Sequence, residues 1–204
     1  MEHRGIGVQH NVTALILAGG QSRRMGGVDK GLIQLSGMTL VERVITRIAP
    51  QVQNIIISAN RHEVEYQRVG YPVISDEGHG PLSGLLAGLR HTQQAMVLTL
   101  PCDTPFIPHD LLPRLLAGLL ALDAEVAIPV VDGHAHQAVM LCRADVSVKL
   151  GEFLHAGGRS VQDWLQGVRC SSVSFEQPGA FFNINTPADL MQAEHLFNQD
   201  AGSR

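Results

Sequence analysis

The sequence predicts an α/β fold in which helices cover both faces of a mostly parallel sheet. Short apolar runs rich in Val, Ile and Leu alternate with helix-length amphipathic segments, a pattern typical of such sheets. The 204 residues can bury roughly 70% of the unfolded chain's surface around one core. No repeat, low-complexity stretch or Ser/Pro-rich linker divides the chain. We therefore expect one domain over residues 12–198, with flexible tails at 1–11 and 199–204.

Seven apolar runs are the predicted strands. They span residues 12–17, 54–58, 73–74, 96–100, 125–130, 138–142 and 168–175. In a sheet of this class, ligands bind outside the carboxyl ends of the strands. Functional residues are therefore expected directly after these runs.

Four segments carry signals for the start of a helix. Thr39 and Glu42 form a capping box before an apolar run, and Pro50 ends that helix. The other predicted N-caps are Asp110, Ser160 and Thr186, which open helices over 111–122, around Trp164 and from Pro187 to about Phe197, with Asp189 at the third helical position.

Composition excludes several classes of protein. Fifteen basic and 19 acidic residues give a formal charge of −4, and no basic run is present that would bind nucleic acid. The three cysteines form no Cys-x-x-Cys pair, so neither a disulfide framework nor a zinc knuckle is indicated. The sequence shows no signal peptide, and its longest leucine-rich run is too short to span a bilayer. We expect a cytoplasmic protein that binds anions locally, without nucleic-acid or membrane partners.

A glycine-rich segment follows the first predicted strand. Residues 17–30 hold four glycines, two arginines and a lysine, without the spacing of a Walker loop or of a dinucleotide-binding loop. Gly19 and Gly20 would let the backbone approach a polyphosphate, while Arg24 and Lys30 supply positive charge. The alternative is a glycine-rich surface turn with solvated cations.

Charge balance in this segment indicates a metal ion. A nucleoside triphosphate carries about four negative charges near pH 7, of which Arg24 and Lys30 offset half. Mg²⁺ would offset the rest, and it requires one or two carboxylates. Asp103 follows an apolar strand and is the predicted ligand. The alternative is an aspartate that caps the turn before Pro105.

Other polar residues follow neighbouring strands. Asp76 would accept hydrogen bonds from a base or ribose, and Ser58 or Asn60 would read a base. Each could instead stabilise a turn. Residues 80–84, Gly-Pro-Leu-Ser-Gly, introduce the next predicted helix. The N-terminal amides of that helix would bind an anion or a ligand edge, unless Gly80-Pro81 only marks a turn.

Two further pairs of polar residues alternate with other residues. Asn183 and Asn185 share one face if the chain is extended there, so they would hold substrate or the water shell of a metal, or else cap a turn. His134 and His136 are also two apart, but no third ligand lies at a diagnostic spacing. We interpret them as solvated or substrate-side histidines.

Together these motifs resemble the molybdenum cofactor guanylyltransferase family, the MobA proteins. The motifs are Leu17-Ala-Gly-Gly-x-x-x-Arg24-Met25-Gly26-x-x-Asp29-Lys30, Asp76, Gly80-Pro81-Leu82-x-Gly84, Pro101-Cys102-Asp103-x-Pro105 and Asn183-x-Asn185-Thr186-Pro187. The resemblance implies a three-layer Rossmann-like nucleotidyltransferase fold and transfer of GMP from GTP to molybdenum-molybdopterin with Mg²⁺. The products would be molybdopterin guanine dinucleotide and pyrophosphate, and cofactor-insertion proteins or molybdoenzyme chaperones would be partners.

The resemblance also assigns residues. The positions that match nucleotide contacts are Leu17, Ala18, Gly19, Gly20, Lys30, Asp76 and Asp103, and Asp103 also matches the magnesium ligand. Arg24 matches the family's loop arginine. Ser58 stands where the family often has asparagine, with Asn60 two residues later. The molybdopterin-side candidates are Gly80, Pro81, Leu82, His136, Asn183 and Asn185, although Gln137 replaces the proline that commonly follows the histidine.

The expected mechanism needs no general base. A phosphate of molybdopterin, already ionised at neutral pH, attacks the α-phosphorus of GTP. Mg²⁺ held by Asp103, together with Lys30 and Arg24, would stabilise the charge that develops on the phosphoryl and leaving groups. A related cytidylyltransferase is one alternative, although its loop usually reads Leu-Ala-Ala-Gly, whereas this chain has Gly19 followed by Gly20. A non-catalytic nucleotide-binding protein on the same fold is the other.

Overall fold

The computed structural model describes residues 11–18, 28–76, 78, 80–177 and 179–202, with side chains described to Phe197. The strands are β1 (Val12–Leu17), β2 (Gln34–Leu35), β3 (Met38–Thr39), β4 (Asn54–Ser58), β5 (Val73–Ile74), β6 (Met96–Pro101), β7 (Val126–Val131), β8 (His134–Ala135), β9 (Met140–Arg143) and β10 (Cys170–Ser174). The helices are α1 (Leu40–Ile48), α2 (Glu63–Gln67), α3 (Pro81–His91), α4 (Leu111–Ala121), α5 (Ser147–His155), α6 (Val161–Gln166) and α7 (Pro187–Gly202).

The main sheet has the strand order β10-β7-β9-β6-β1-β4-β5, and β8 pairs with β7. Along this path only β9 is antiparallel to its neighbours. Leu17 at the end of β1 is in register with Ser58 of β4 and Pro101 of β6, and Ser58 is in register with Ile74 of β5. Four strands therefore end together, at what we call the carboxyl edge.

Both faces of the sheet are covered, which confirms the predicted three-layer α/β architecture. Alternate residues of β1 point to opposite faces: Ala14 and Ile16 belong to a core with α1 and α4, whereas Leu15 belongs to a core with α3 and α6. A third, smaller cluster joins α7 and the loop before it to the β2–β3 hairpin through Leu35, Ile184 and Ala193.

All seven predicted strands are present; three match at both ends, and the ends of the other four are shifted by at most two residues. The predicted strands did not include β2, β3 or β8, which are too short to show periodicity. Their turns carry consecutive positive φ angles, at Ser36 and Gly37 and at Asp132 and Gly133. Asp-Gly is itself a hairpin signal, so the second hairpin was detectable from the sequence.

The predicted capping box of Thr39 and Glu42 is confirmed, as is the Ser160 cap. The prediction for Asp110 was wrong, because the residue occupies the N-cap position of α4 but its side chain makes no capping bond. Its backbone (φ −111°, ψ 18°) is outside the extended region that capping residues adopt. The carboxylate instead lies 3.7 Å from Arg114 Nη1.

The C-terminal helix begins at Pro187 as predicted but extends to Gly202, beyond the expected end near Phe197. No helix in the described part of the chain is long and apolar enough to cross a membrane.

Candidate active site at the carboxyl edge

The ends of four parallel strands form the floor of the site. Ala18 donates its N–H to Ser58 O at 2.8 Å, Ala59 donates to Ile74 O at 2.9 Å, and Cys102 donates to Leu17 O at 3.0 Å. These bonds continue the sheet for one residue past each strand. The predicted residues that follow the strands are thereby brought to one edge.

Lys30 is at the centre of the described site. Its ammonium group donates to Asp103 Oδ2 at 2.9 Å and to Asn185 Oδ1. The Lys30 and Asp103 side chains are only 19% and 14% exposed, so water screens this ion pair less than it would a surface pair. The Lys30 ammonium group thus joins Asp103 to Asn185, a residue 155 positions from the lysine in the sequence.

The backbone around Lys30 and Asn185 is held by aspartates. Asp29 caps the turn that begins at Lys30 by accepting the Gly31 N–H at 3.1 Å. Asp189 Oδ2 accepts the N–H groups of Asn185 and Thr186, both at 2.8 Å. The Asn185 N–H is the main reason that the pKa of Asp189 lies below its usual range. Asp189 therefore secures the loop that presents Asn185.

A second bond attaches this loop to the sheet. Ile184 is fully buried, and its N–H donates to Asp103 O at 3.0 Å. Asn183, on the other side of Ile184, is exposed. Of the two asparagines, Asn185 contacts Lys30, and a role for Asn183 in the site stays a prediction.

Asp76 and Ser58 converge on the beginning of α3. A Cβ added at Gly84 would lie 2.8 Å from Leu17 Cδ2, 3.1 Å from Ser58 Oγ and 3.7 Å from Asp76 Oδ2. Asn60 Oδ1 accepts the Asp76 N–H at 2.9 Å. The structure thus uses the Asn60 oxygen to orient Asp76 and places Ser58 beside the helix.

The three residues at the start of α3 differ in how they could contact a ligand. Gly80 has a φ of +89°, which favours glycine, and Pro81 begins the helix. Leu82 is only 1% exposed and belongs to the core. A contact between Leu82 and a ligand would therefore have to come from its backbone.

His136 lies on the β9 side of the same edge. Its ring stacks on Phe181 with centroids 4.8 Å apart, and Phe181 meets Phe175 edge-on at 5.4 Å. Burial lowers the pKa of His136, which favours the neutral imidazole at pH 7. His134 is exposed on the hairpin, and no group of three His, Cys, Asp or Glu in the described ranges is placed to hold a metal.

Sequence reasoning assigned no role to two residues of this region, Asp29 and Tyr66. Asp29 carried a detectable signal, because an aspartate before a short turn is a common cap. Tyr66, whose hydroxyl reaches Asp29, carried none. The predicted site residues Gly19, Gly20 and Arg24 lie outside the described residues.

Comparison with known proteins identifies the family. Residues 14–170 match the MobA-like NTP transferase domain. Molybdenum cofactor guanylyltransferase of Shewanella sp. (strain MR-4) is 43% identical over 193 residues, which cover 92% of this chain and 98% of that protein. The protein of the same name from Cupriavidus pinatubonensis is 42% identical over 192 residues, covering 90% of this chain and 96% of that protein.

Solved structures show the same fold. Molybdopterin-guanine dinucleotide biosynthesis protein A from Archaeoglobus fulgidus superimposes with a TM-score of 0.76 at 24% identity, covering 92% of this chain and 99% of that one. CMP:2-keto-3-deoxy-manno-octonic acid synthetase, in complex with CTP, also has a TM-score of 0.76, at 17% identity, covering 93% and 99%. With these matches and the strand-end site, the chain belongs to the molybdenum cofactor guanylyltransferase family of MobA-like nucleotidyltransferases.

Proposed function

We propose that this chain transfers GMP from GTP to the phosphate of molybdenum-molybdopterin and releases pyrophosphate. The observation that carries the proposal is the junction at Lys30, where one cation contacts Asp103 at the end of β6 and Asn185 of the loop before α7. We assign the nucleotide to β1, β4, β5 and β6, and the acceptor to the side of His136 and Asn185. Lys30 would then lie where the two substrates meet.

Asp103 and Asn185 suit a hard cation such as Mg²⁺. A carboxylate and an amide oxygen already share one cationic partner, the Lys30 ammonium, and magnesium takes oxygen ligands from one or two carboxylates together with substrate phosphates. When bound, the ion would neutralise phosphate charge and polarise the reacting phosphoryl group. Asp103 would hold it, and Asn185 would contact it directly or through water.

The residues of the chain would act by position and charge. The acceptor phosphate oxygen forms a bond to the α-phosphorus, and the bond from that phosphorus to the β-bridging oxygen breaks as pyrophosphate leaves with the electron pair. Lys30, together with Arg24, would stabilise charge on the phosphoryl and leaving groups. Because the attacking phosphate is already ionised, no residue needs to remove a proton. This is consistent with His136, whose neutral, stacked ring suits binding a flat acceptor.

Asp76, Ser58 and the backbone around Gly84 would bind the nucleoside. A carboxylate accepts hydrogen bonds from the N–H groups on guanine or from ribose hydroxyls. A Cβ at Gly84 would crowd Leu17, Ser58 and Asp76, so glycine at this position keeps the approach to these residues open. We assign Leu17, Ala18, Gly19 and Gly20 to the phosphate and sugar contacts.

The wider setting is also proposed. Cys102, Cys142 and Cys170 are free thiols, which supports a reducing, cytoplasmic location. We propose a single domain over residues 12–198, with cofactor-insertion proteins or molybdoenzyme chaperones as recipients of the product.

The test supplies purified protein with Mg²⁺, molybdate-loaded molybdopterin and either GTP, CTP or ATP. We expect pyrophosphate release and a guanine dinucleotide, detected by mass spectrometry, with GTP as the best donor. Calorimetry with the same three nucleotides compares their affinities. Tighter binding and faster turnover with CTP would reassign the chain to the cytidylyl reaction, and release of no pyrophosphate would reject the transferase.

A further inference from the structure

Tyr66 on α2 reaches the turn that carries Lys30. Its side chain is fully buried, and its hydroxyl donates to Asp29 Oδ1 at 2.5 Å. The same carboxylate oxygen accepts the Gly31 N–H at 3.1 Å. Because Lys30 lies between Asp29 and Gly31, this shared oxygen fixes the backbone on both sides of the lysine.

Gly31 makes room for the Tyr66 hydroxyl. A Cβ added at Gly31 would lie 2.3 Å from Tyr66 Oη and 3.1 Å from two ring atoms. The Gly31 backbone is outside the left-handed region, so the tyrosine, and not the local conformation, excludes a side chain. The Tyr66 hydroxyl, the Asp29 carboxylate and the turn at Lys30 are therefore in close contact, with no space for an added side chain at Gly31.

The segment that carries Tyr66 also contacts the nucleoside side of the site. Asn60, six residues earlier, orients Asp76 through the Asp76 N–H. Residues 59–67 thus connect the Asp76 region with the Lys30 turn.

We propose that Tyr66 is a positioning residue that sets the Lys30 ammonium group, through Asp29, at the junction with Asp103 and Asn185. The proposal rests on the proposed function, because only there does Lys30 meet the reacting phosphates. Loss of the hydroxyl would loosen the turn and displace the ammonium group. The transition state would then be affected more than nucleotide binding, because the Asp76 side is unchanged.

The test is Tyr66→Phe, which removes one oxygen and keeps the buried ring. The matched control is Tyr71→Phe, because the chain has only two tyrosines and Tyr71 lies beside the opposite edge of the sheet. We expect kcat for GMP transfer to fall about 10- to 100-fold in Tyr66→Phe, as for a displaced catalytic group, with a much smaller change in the KM for GTP. Tyr71→Phe should retain both values.

A second measurement, by NMR, does not depend on catalytic activity. The chain has two lysines, Lys30 and Lys149, so ¹⁵N-lysine labelling gives two side-chain Nζ resonances. In Tyr66→Phe the Lys30 resonance should shift while the Lys149 resonance stays in place. An unmoved Lys30 resonance, or an unchanged kcat, overturns the proposal. A wild-type protein that transfers no GMP rejects the proposed function instead, and the Lys30 resonance then decides alone whether Tyr66 positions it.

Gly31→Ala approaches the same contact from the other side. The added methyl group should displace Lys30 in the same way. In the double variant with Tyr66→Phe, the Tyr66 hydroxyl, which is the closest neighbour of that methyl group, is absent. We expect the double variant to lose less thermal stability than the two single losses added together. Strict additivity would contradict the packing on which the proposal depends. If Tyr66→Phe does not fold, the kcat and Lys30 readings are taken on Gly31→Ala and decide in the same way.

Discussion

The chain's two lysines lie at opposite edges of one sheet, and each pairs with a carboxylate. At the carboxyl edge, Lys30 contacts Asp103 at 2.9 Å. At the amino edge, Lys149 of α5 contacts Glu125, which precedes β7, at 2.6 Å. The two pairs have similar geometry but different surroundings.

The surroundings of the two carboxylates indicate different roles. Glu125 also accepts the Arg169 N–H at 3.0 Å and lies 3.6 Å from Arg169 Nη1, so both of its oxygens are occupied. Among the described residues, Asp103 has Lys30 as its one side-chain partner. The Lys149–Glu125 pair therefore has the features of a structural contact. In the Lys30–Asp103 pair, one carboxylate oxygen of Asp103 has no side-chain partner among the described residues and could accept a ligand. The exposure of the two carboxylates, 14% for Asp103 and 10% for Glu125, would not have separated them.

Cavities lie near both edges of the sheet, and one of about 590 Å³ lies beside Asp76, which follows β5. A pocket of about 420 Å³ opens at the amino edge beside Thr13, Asn54 and His91. None of the described residues that line it is Asp, Glu, Lys or Arg. The proposed site, in contrast, lies where the parallel strands end, as expected for open α/β sheets.

The largest expected difference between the edges concerns Asp103→Asn. We expect turnover to fall about 100- to 1,000-fold, the usual loss when stabilisation of developing charge is removed, because the amide would hold Mg²⁺ more weakly than the carboxylate. The amide keeps the size of the side chain, so circular dichroism and the melting temperature should change little. Glu125→Gln is the matched control and should retain turnover. Equal losses in the two variants would remove the distinction between a catalytic and a structural pair.

Two glycines of α3 sharpen the comparison within one helix. Gly88→Ala places a methyl group 2.4 Å from Cδ2 of Leu15, which is fully buried, so we expect about 1–3 kcal/mol of destabilisation from overpacking. Gly84→Ala instead crowds Leu17, Ser58 and Asp76.

The gain in helix propensity is the same at both positions and therefore cancels. Gly84→Ala should weaken GTP binding more than it lowers the melting temperature, and Gly88→Ala should do the reverse. Calorimetry and thermal unfolding of both variants measure this. Identical profiles would show that the beginning of α3 is not part of the nucleotide site.

The smallest expected effect is on the pH dependence of stability. The Arg169 N–H, followed by Lys149, lowers the pKa of Glu125 below its ordinary value of 4.5. A carboxylate with a lowered pKa in the folded state stabilises the fold above its unfolded pKa. That contribution is lost as the pH falls below 4.5 and through the folded value.

Glu125→Gln should therefore lower stability at pH 7 by about 1 kcal/mol, or about 2–4 °C in Tm, because solvent around Lys149 screens the pair. The difference from wild type should shrink as the pH is lowered below 4.5. Thermal melts between pH 7 and pH 3 follow it. A constant difference would show that the charge of Glu125 contributes nothing.

The carboxyl edge was predictable where its residues lie next to strands. Asp76 and Asp103 follow apolar runs, and parallel strands bring such positions together without further information. The partnership of Lys30 with Asn185 joins distant parts of the chain and depends on how the loop before α7 docks on Asp103. The reversed direction of β9 was equally hidden, because a short apolar run does not reveal which way a strand points.

Tyr66 illustrates the same limit. It lies in a short helix with Glu63 and Glu65, and the sequence suggests only a solvated face. The tyrosine is nevertheless fully buried, because α2 folds back over the Lys30 turn. Contacts of this kind depend on tertiary packing and leave no periodic signal.

The central proposal is that the Lys30 pair, and not the Lys149 pair, receives the nucleotide. The most direct measurement adds Mg²⁺ and GTP to ¹⁵N-lysine-labelled protein and follows the two Nζ resonances together. We predict that the Lys30 resonance shifts in proportion to bound GTP while the Lys149 resonance stays in place. Bound GTP that leaves Lys30 unmoved, or that moves Lys149 instead, would contradict a nucleotide site at the carboxyl edge.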